Sequence, residues 1–400
     1  MGKYVYKNKF RIIFVLSVLL FAVVFLFLLH FRAQNVVLNV CNWGETVVVD
    51  GPNGIKMDIN KKFTQETGIK VNYTNFQSNE ELYTKLVHGG AKYDVIFPSD
   101  YMISKLRKKG IIQKINFDKI PNYKFIDNKH KNLEFDPLNE YSVPYMWGLV
   151  GIFYNEKYVK EKKMTWDILW NKKYSGKILY FDNPRDAFGV SLMRIGKNIN
   201  SKKINDWNEA QRELKKQKPL IQSYVMDQIF DKLNSEEAFL AAFYCHVSTS
   251  GITLSPSIKF VIPDEDTNKF VDCACIPKNT SHYEEAHEYI NFLCRNDIAF
   301  ENMKNNGYLS PNTEVEKELS KNSSYFYVKN RDNGKTQVFT DLEDSINENM
   351  EKLWLDLKLN ENKNSSIDKI LFISILFLLM SFNFAKGFKY VLHTVIKNKF

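Results

Sequence analysis

Residues 69–106 read IKVNYTNFQSNEELYTKLVHGGAKYDVIFPSDYMISKL, and this stretch decides the fold. Ile69 to Tyr73 reads as a strand. Ser78-Asn-Glu-Glu81 is a capping box, in which a serine and a glutamate side chain satisfy backbone N–H groups at a helix start. The helix it opens runs through Leu86 to Gly89. Tyr93 to Phe97 is again a strand, Pro98 interrupts it, and Ser99 caps a helix through Leu106. Upstream, Val37 to Val40 is a short apolar strand ending at Asn42-Trp43, and a helix around Met57 to Glu66 stops at Gly68. The order strand, helix, strand, helix, strand, helix is that of a parallel sheet covered by helices.

The alternation restarts downstream. Ser142 to Tyr154 is strand-like, and Trp166 to Trp170 reads as a short helix. Lys177 to Phe181 is a strand, and Pro184 opens a helix toward Ile195. Asn205 to Lys216 is an amphipathic helix, and Phe239 to Tyr244, Ile258 to Ile262 and Phe270 to Ile276 are strands. Helices follow at Tyr283 to Cys294, Asp297 to Lys304 and Ile346 to Leu357. Two successive α/β units predict two lobes with a cleft between them, and in open α/β sheets ligands collect at the carboxyl ends of strands. Those ends hold Trp43, Ser99, Asp100, Tyr101, Asp182, Asn183, Asp186 and Tyr244, with Phe270 and Asp272 on a later strand. Aromatic faces attract cations and cover methylene chains, and carboxylates neutralise ammonium groups that are costly to bury unpaired, so the set suits an alkyl ammonium ligand. Spacing alone leaves another reading open, in which Trp43 and Tyr244 are core residues and Asp182 and Asp186 cap helices.

The net charge of +9 sits in the tails. Residues 1–35 carry +5 and residues 368–400 carry +4, which leaves 36–367 balanced and argues against nucleic-acid binding. Lys3, Lys7, Lys9 and Arg11 precede an uncharged apolar run, Ile12 to Leu29, and Lys386, Lys389, Lys397 and Lys399 follow a second, Ile370 to Phe384. Basic residues beside apolar runs mark membrane topology. The first run reads as an uncleaved anchor, with a signal sequence as the rival, and the second as a shorter span or a membrane-lying helix. Both termini are then expected in the cytoplasm and the folded portion on the far side of the membrane. Five cysteines at 41, 245, 273, 275 and 294 form no CxxC and read as buried thiols. There is no G-x-S-x-G or P-loop motif, and His246 and His282 have no nucleophile partner in sequence. No enzyme, metal site or cofactor is expected.

A run of segments, in order, resembles the bacterial periplasmic spermidine/putrescine-binding proteins, the receptors of polyamine ABC transporters. They include Asn42-Trp-Gly-Glu45, Phe63-Thr-Gln-Glu-Thr-Gly-Ile-Lys-Val71, Tyr93-Asp-Val-Ile-Phe-Pro-Ser99, Tyr141-Ser-Val-Pro-Tyr-Met-Trp-Gly148, Ile290-Asn-Phe-Leu-Cys-Arg-Asn-Asp297 and Gly307-Tyr-Leu-Ser-Pro-Asn312. The likeness covers roughly residues 38–358. It implies a periplasmic-binding-protein-like (type II) α/β fold that closes on its ligand, and a separate membrane permease as partner. Carried over, the aromatic box falls on Trp43, Tyr101, Tyr244, Phe270 and Tyr308, and the central carboxylate on Asp272. The terminal-amine pair falls on Asn183 and Asp186, and polar contacts on Ser99 and Gln337.

The departures bear on the ligand. Tyr244 and Phe270 stand where the family has tryptophan, Thr46 where it has a tyrosine, Asn183 replaces one of the paired carboxylates, and Asp186 stands in place of a glutamate. Asp182 is adjacent, but successive residues of an extended chain point to opposite sides. Val47 to Gly54 looks inserted. Two acids, Asp186 and Asp272, leave spermidine, putrescine and another small cation all open, as well as a surface protein that has lost binding. The expected division is an anchor or signal region at 1–35, a first lobe at 36–150 and a second at 151–275. Residues 276–358 return to the first lobe and supply C-terminal helices, 359–366 form a linker, 367–386 a terminal membrane helix and 387–400 a basic tail.

Overall fold

The computed structural model describes residues 14–21, 36–43, 58–88, 90, 92–226, 228–245, 254–319 and 336–359. Its first sheet is built as the opening stretch requires. Strand β1 (Val37–Trp43) lies between β2 (Lys70–Phe76) and β3 (Val95–Ile96) and is parallel to both. Helix α1 (Ile59–Thr67) is capped by the Asp58 side chain, which accepts from Lys61 N, and it ends at Gly68 with φ 78°, a left-handed conformation that glycine adopts without a Cβ penalty. At the start of α2 (Asn79–Val87), Ser78 Oγ accepts from Glu81 N at 3.1 Å. Glu81 reaches back to Gln77 N at 2.7 Å, one residue further upstream than a capping box requires. Helix α3 (Asp100–Lys108) follows β3.

After β4 (Ile112–Gln113), the 13-residue strand β5 (Val143–Asn155) is the axis of the second sheet. Then come β6 (Ile178–Phe181), α4 (Pro184–Arg194), α5 (Ile204–Gln217), β7 (Ile221–Val225), α6 (Ile229–Asn234), β8 (Leu240–Tyr244), β9 (Ile258–Val261) and β10 (Thr267–Ala274). The first half of β5 pairs antiparallel with β10, and its second half with β8 and β9. Strand β6 is parallel to β7 and β8. Strand β10 also reaches the first sheet, through bridges Ser99↔Asp272 and Ile96↔Cys275, and the chain continues into β11 (Ile276–Pro277), which pairs with β4. Strands β5 and β10 therefore cross from one sheet to the other side by side.

The remaining chain divides between the two sheets. Helices α7 (Tyr283–Leu293), α8 (Asn296–Asn306) and α9 (Thr313–Leu319) stay with the first, where Tyr289 and Phe292 meet Phe63 at 5.0 and 5.2 Å. The short β12 (Thr336–Gln337) pairs with β10. Helix α10 (Asp344–Leu359) lies on the second body: Gln211 Nε2 of α5 donates to Leu353 O, and Trp354 meets Tyr224 edge-on at 5.5 Å. Of the C-terminal helices expected within residues 276–358, α10 packs against α5 and β7, with Trp354 half-buried.

All five cysteines are free and buried, and burial lifts the thiols of Cys245 and Cys294 to about 12. Residues 14–21 form an exposed helix. Among the described residues no helix is long and apolar enough to cross a membrane. The run at 370–384, the tail at 387–400, the linker beyond Leu359, the stretch at 47–54 and most of 1–35 lie outside the described residues.

Candidate ligand-binding site

Where the strand ends of the two sheets face each other they line a partly open cavity. Its wall collects nine of the ten residues singled out from sequence. Strand β1 ends in Trp43, whose ring lies 4.5 Å from Phe76 at the end of β2. Ser99 and Tyr101 follow β3, Asn183 and Asp186 follow β6, and Tyr244 ends β8. Phe270 and Asp272 project from β10, and Tyr308 follows Gly307, which closes α8 at φ 75°. The tenth, Gln337, is elsewhere: its Oε1 accepts from Ile199 N at 3.0 Å and its Nε2 donates to Asp266 Oδ2 at 2.9 Å, which fastens β12 to the second body.

Three of these side chains do something the sequence did not reveal. Ser99 precedes α3 but makes no side-chain cap; its Oγ donates instead to Asp272 Oδ1 at 2.6 Å, across the two bodies. Asn183 is the cap of α4, its Oδ1 accepting from Arg185 N at 3.0 Å, a role a carboxylate would fill equally well. Asp186, one turn on, faces the cavity and accepts from Tyr244 Oη at 2.6 Å. Asp182 points away, exposed and paired with Lys358 Nζ at 2.7 Å, as the alternation of an extended chain requires.

The aromatic wall is continuous. Tyr244 and Phe270 meet at 5.0 Å between centroids, Phe270 and Tyr308 at 5.8 Å and 90°, and Tyr101 and Phe339 at 6.1 Å. Phe270 fits because its partner across the ladder is Gly148; a Cβ there would lie 2.7 Å from the Phe270 ring and 2.8 Å from Cys245 Sγ. Tyr101 is held from behind by Glu80, which accepts from its Oη at 3.0 Å.

The electrostatics are those of acids waiting for a cation. Burial pushes the carboxyls of Asp186 and Asp272 up to about 7, against the hydroxyl bonds from Tyr244 and Ser99 that pull them down. Among the described residues neither is ion-paired with a basic side chain. Burial also drives the Asp100 carboxyl well above the usual carboxylate range. Arg185, a buried cation, lies behind the site and pulls the Asp186 carboxyl down without pairing with it. Its Nη2 donates to Asn200 Oδ1 and Thr340 O, and its guanidinium lies 4.5 Å from the Phe339 ring and 5.6 Å from that of Tyr101.

Phe76, Asp100, Met146, Asn268 and Phe339 also line the cavity, and sequence reading missed all but Asp100. Phe76 sits at the end of a parallel strand, so the rule that found Trp43 reaches it too. Asn268 shares a strand face with Phe270 and Asp272. Phe339 carried no local signal.

A comparison with protein-family models matches residues 90–333 to the bacterial extracellular solute-binding proteins. The chain belongs to that family. This solute-binding protein is 35% identical over 289 residues to the spermidine/putrescine-binding periplasmic protein of Escherichia coli, across 72% of its own length and 81% of that protein's. Among solved structures it matches a Listeria monocytogenes protein provisionally described as a spermidine/putrescine ABC transporter, with TM-score 0.75, 29% identity and coverage of 81% and 99% of the two chains. The spermidine/putrescine ABC transporter substrate-binding protein of Streptococcus pneumoniae matches with TM-score 0.66, 30% identity and the same coverage. The periplasmic-binding-protein-like α/β fold is borne out, and so is the resemblance to the spermidine/putrescine-binding proteins.

Proposed function

We propose that this solute-binding protein captures a polyamine, spermidine or putrescine, in the cavity between its two sheets and passes it to a separate membrane permease. The observation that carries the reading is the pair Asp186 and Asp272. Both are buried, each is bonded to a hydroxyl, neither is ion-paired with a basic side chain among the described residues, and both sit within an aromatic wall. Two ammonium groups entering this space each gain a carboxylate, and the rings of Trp43, Tyr101, Tyr244, Phe270 and Tyr308 cover the methylenes between them. The names of the relatives support the same ligand class. Ser99 completes the cleft by holding Asp272, and Asn183 by fixing the start of α4. Gln337 acts as a support for β12 rather than as a ligand contact.

In this reading residues 36–150 and 151–275 form the cores of two lobes that close on the ligand about the crossing strands β5 and β10. The apolar runs with their basic flanks tether the receptor to a membrane, its binding portion on the non-cytoplasmic side, at high effective concentration beside the permease. The relatives are solute-binding proteins, and the site is read as a receptor without a catalytic step.

Calorimetric titration of the full-length protein with spermidine, putrescine and a neutral sugar tests this. Micromolar or tighter polyamine binding that Asp272→Asn weakens at least a hundredfold supports it. No heat with either amine from a folded protein refutes it.

A further inference from the structure

Strand β10 presents three side chains to the cavity at every second position: Asn268, Phe270 and Asp272. The intervening Thr267, Lys269, Val271 and Cys273 are absent from its wall, as the alternation of a strand requires. Phe270 and Asp272 have roles in the proposed ligand site. Asn268 has none, yet it is only 2% exposed, and neither its Oδ1 nor its Nδ2 has a hydrogen-bond partner among the described residues. Folded proteins leave few buried amides unpaired, and one that is needs an explanation. The amide does not serve the sheet, since the backbone of β10 supplies the pairing to β5 and β12 on either side. Leucine has nearly the same shape and would pack there without leaving polar atoms unpaired.

We propose that Asn268 is a ligand-contacting residue of this cleft, a neutral acceptor for a second amine of the ligand, and that it favours a triamine over a diamine. The inference rests on the polyamine reading above and adds a length criterion to it. Asn268 and Asp272 are four residues apart, which is about 13 Å along a strand. Allowing a hydrogen bond of about 2.9 Å at each end, the two nitrogens of the ligand must lie roughly 7–13 Å apart. An extended chain of tetrahedral carbon and nitrogen, with bonds of about 1.5 Å, places the amines of putrescine about 6 Å apart and the terminal amines of spermidine about 11 Å apart. Putrescine falls short of joining the two acceptors, and spermidine spans them. Phe270, between them, covers the methylenes.

Full-length wild type and Asn268→Leu are titrated with both amines, and the ratio of the two dissociation constants is the readout. A preference for spermidine that falls roughly ten- to hundredfold in Asn268→Leu, the loss expected for one hydrogen bond to a charged group, supports the proposal. An unchanged ratio, with wild type binding both amines, overturns it and leaves the receptor reading intact. Binding of neither amine to wild type overturns both. Asn268→Ala, which also removes the acceptor, gives the same comparison should the leucine variant fail to fold. Asn268→Asp provides the opposite sign: an added carboxylate should raise the preference for spermidine, and a preference that falls instead overturns the assignment.

Discussion

Replacing Asp272 by asparagine should abolish polyamine binding and at the same time stabilise the ligand-free protein at alkaline pH. The carboxyl titrates near 7 in the fold because burial disfavours its charge, against an ordinary value of 3.8. The folded state therefore holds this proton more tightly than the unfolded chain does. Stability from this group is fully present below pH 4, declines as pH rises through the interval, and levels off above 7. With the shift of about three units and about 1.4 kcal/mol per unit, the whole penalty is roughly 4 kcal/mol, of which roughly 3 kcal/mol develops between pH 5 and 8. Asparagine keeps an acceptor for the Ser99 hydroxyl and carries no charge. Near pH 5 the variant should already be more stable than wild type by about 1 kcal/mol. At pH 8 the gap should widen to as much as about 4 kcal/mol, a rise of several degrees in midpoint. The difference between variant and wild type reports Asp272 together with the relief its lost charge gives to Asp186 and Asp100, whose carboxyls it faces. Wild type should regain the lost stability when spermidine supplies the missing cation, and the variant should not. Thermal and urea unfolding at pH 5, 6.5 and 8 measure all of this. A wild-type midpoint that is flat across that range, or an asparagine variant that melts lower at pH 8, would refute the claim that Asp272 is an uncompensated buried acid.

Two further substitutions probe the wall and its back. Gly148→Ala places a methyl 2.7 Å from the Phe270 ring with Cys245 Sγ on its other side, so the ring must leave its position; melting should show a loss of about 1–3 kcal/mol, and titration a polyamine affinity weakened roughly tenfold. Asp182→Asn removes only the exposed pair with Lys358, so the same titration should find affinity within about twofold of wild type and stability lowered by at most about 1 kcal/mol.

The first sheet was legible because its signals are local: Gly68, the Ser78 capping box and Pro98 punctuate strands and helices that turn out within a few residues of where they were read. Strand β7 and helix α6 were missed, since Ile221–Val225 is half-exposed and polar at two positions and α6 has only six residues. The destination of α10 was not legible either. An amphipathic helix declares that it has a buried face, and which sheet buries it depends on tertiary partners such as Tyr224 and Gln211, far away in sequence. The site was read mostly by resemblance and by the rule that strand ends face ligands. Gln337, carried over from the resemblance alone, lies on a short edge strand and bonds to Asp266 and Ile199.

Ser99 and Asn183 show why sequence rules for caps and for ligand sites interfere. Both stand just before a helix, in positions where either residue type is a standard cap. Asn183 takes the cap, and this removes the apparent loss implied by its replacement of a carboxylate: the start of α4 needs an acceptor, which the amide supplies without a second negative charge beside Asp186. Ser99 declines the cap. Asp100, buried in the first turn of α3, accepts from the Tyr101 N–H instead, which frees the serine hydroxyl to reach across to Asp272. That bond joins the end of β3 in the first sheet to the crossing strand β10, so the same contact orients the acid and bridges the two bodies that form the cleft. Seating an ammonium group on Asp272 would keep that carboxyl ionised and strengthen the bond from Ser99, because a hydrogen bond to a charged acceptor exceeds one to a neutral carboxyl. Under the proposed function, ligand capture would thus be coupled to the apposition of the two bodies through a side-chain pair that reinforces the backbone bridge between the same residues.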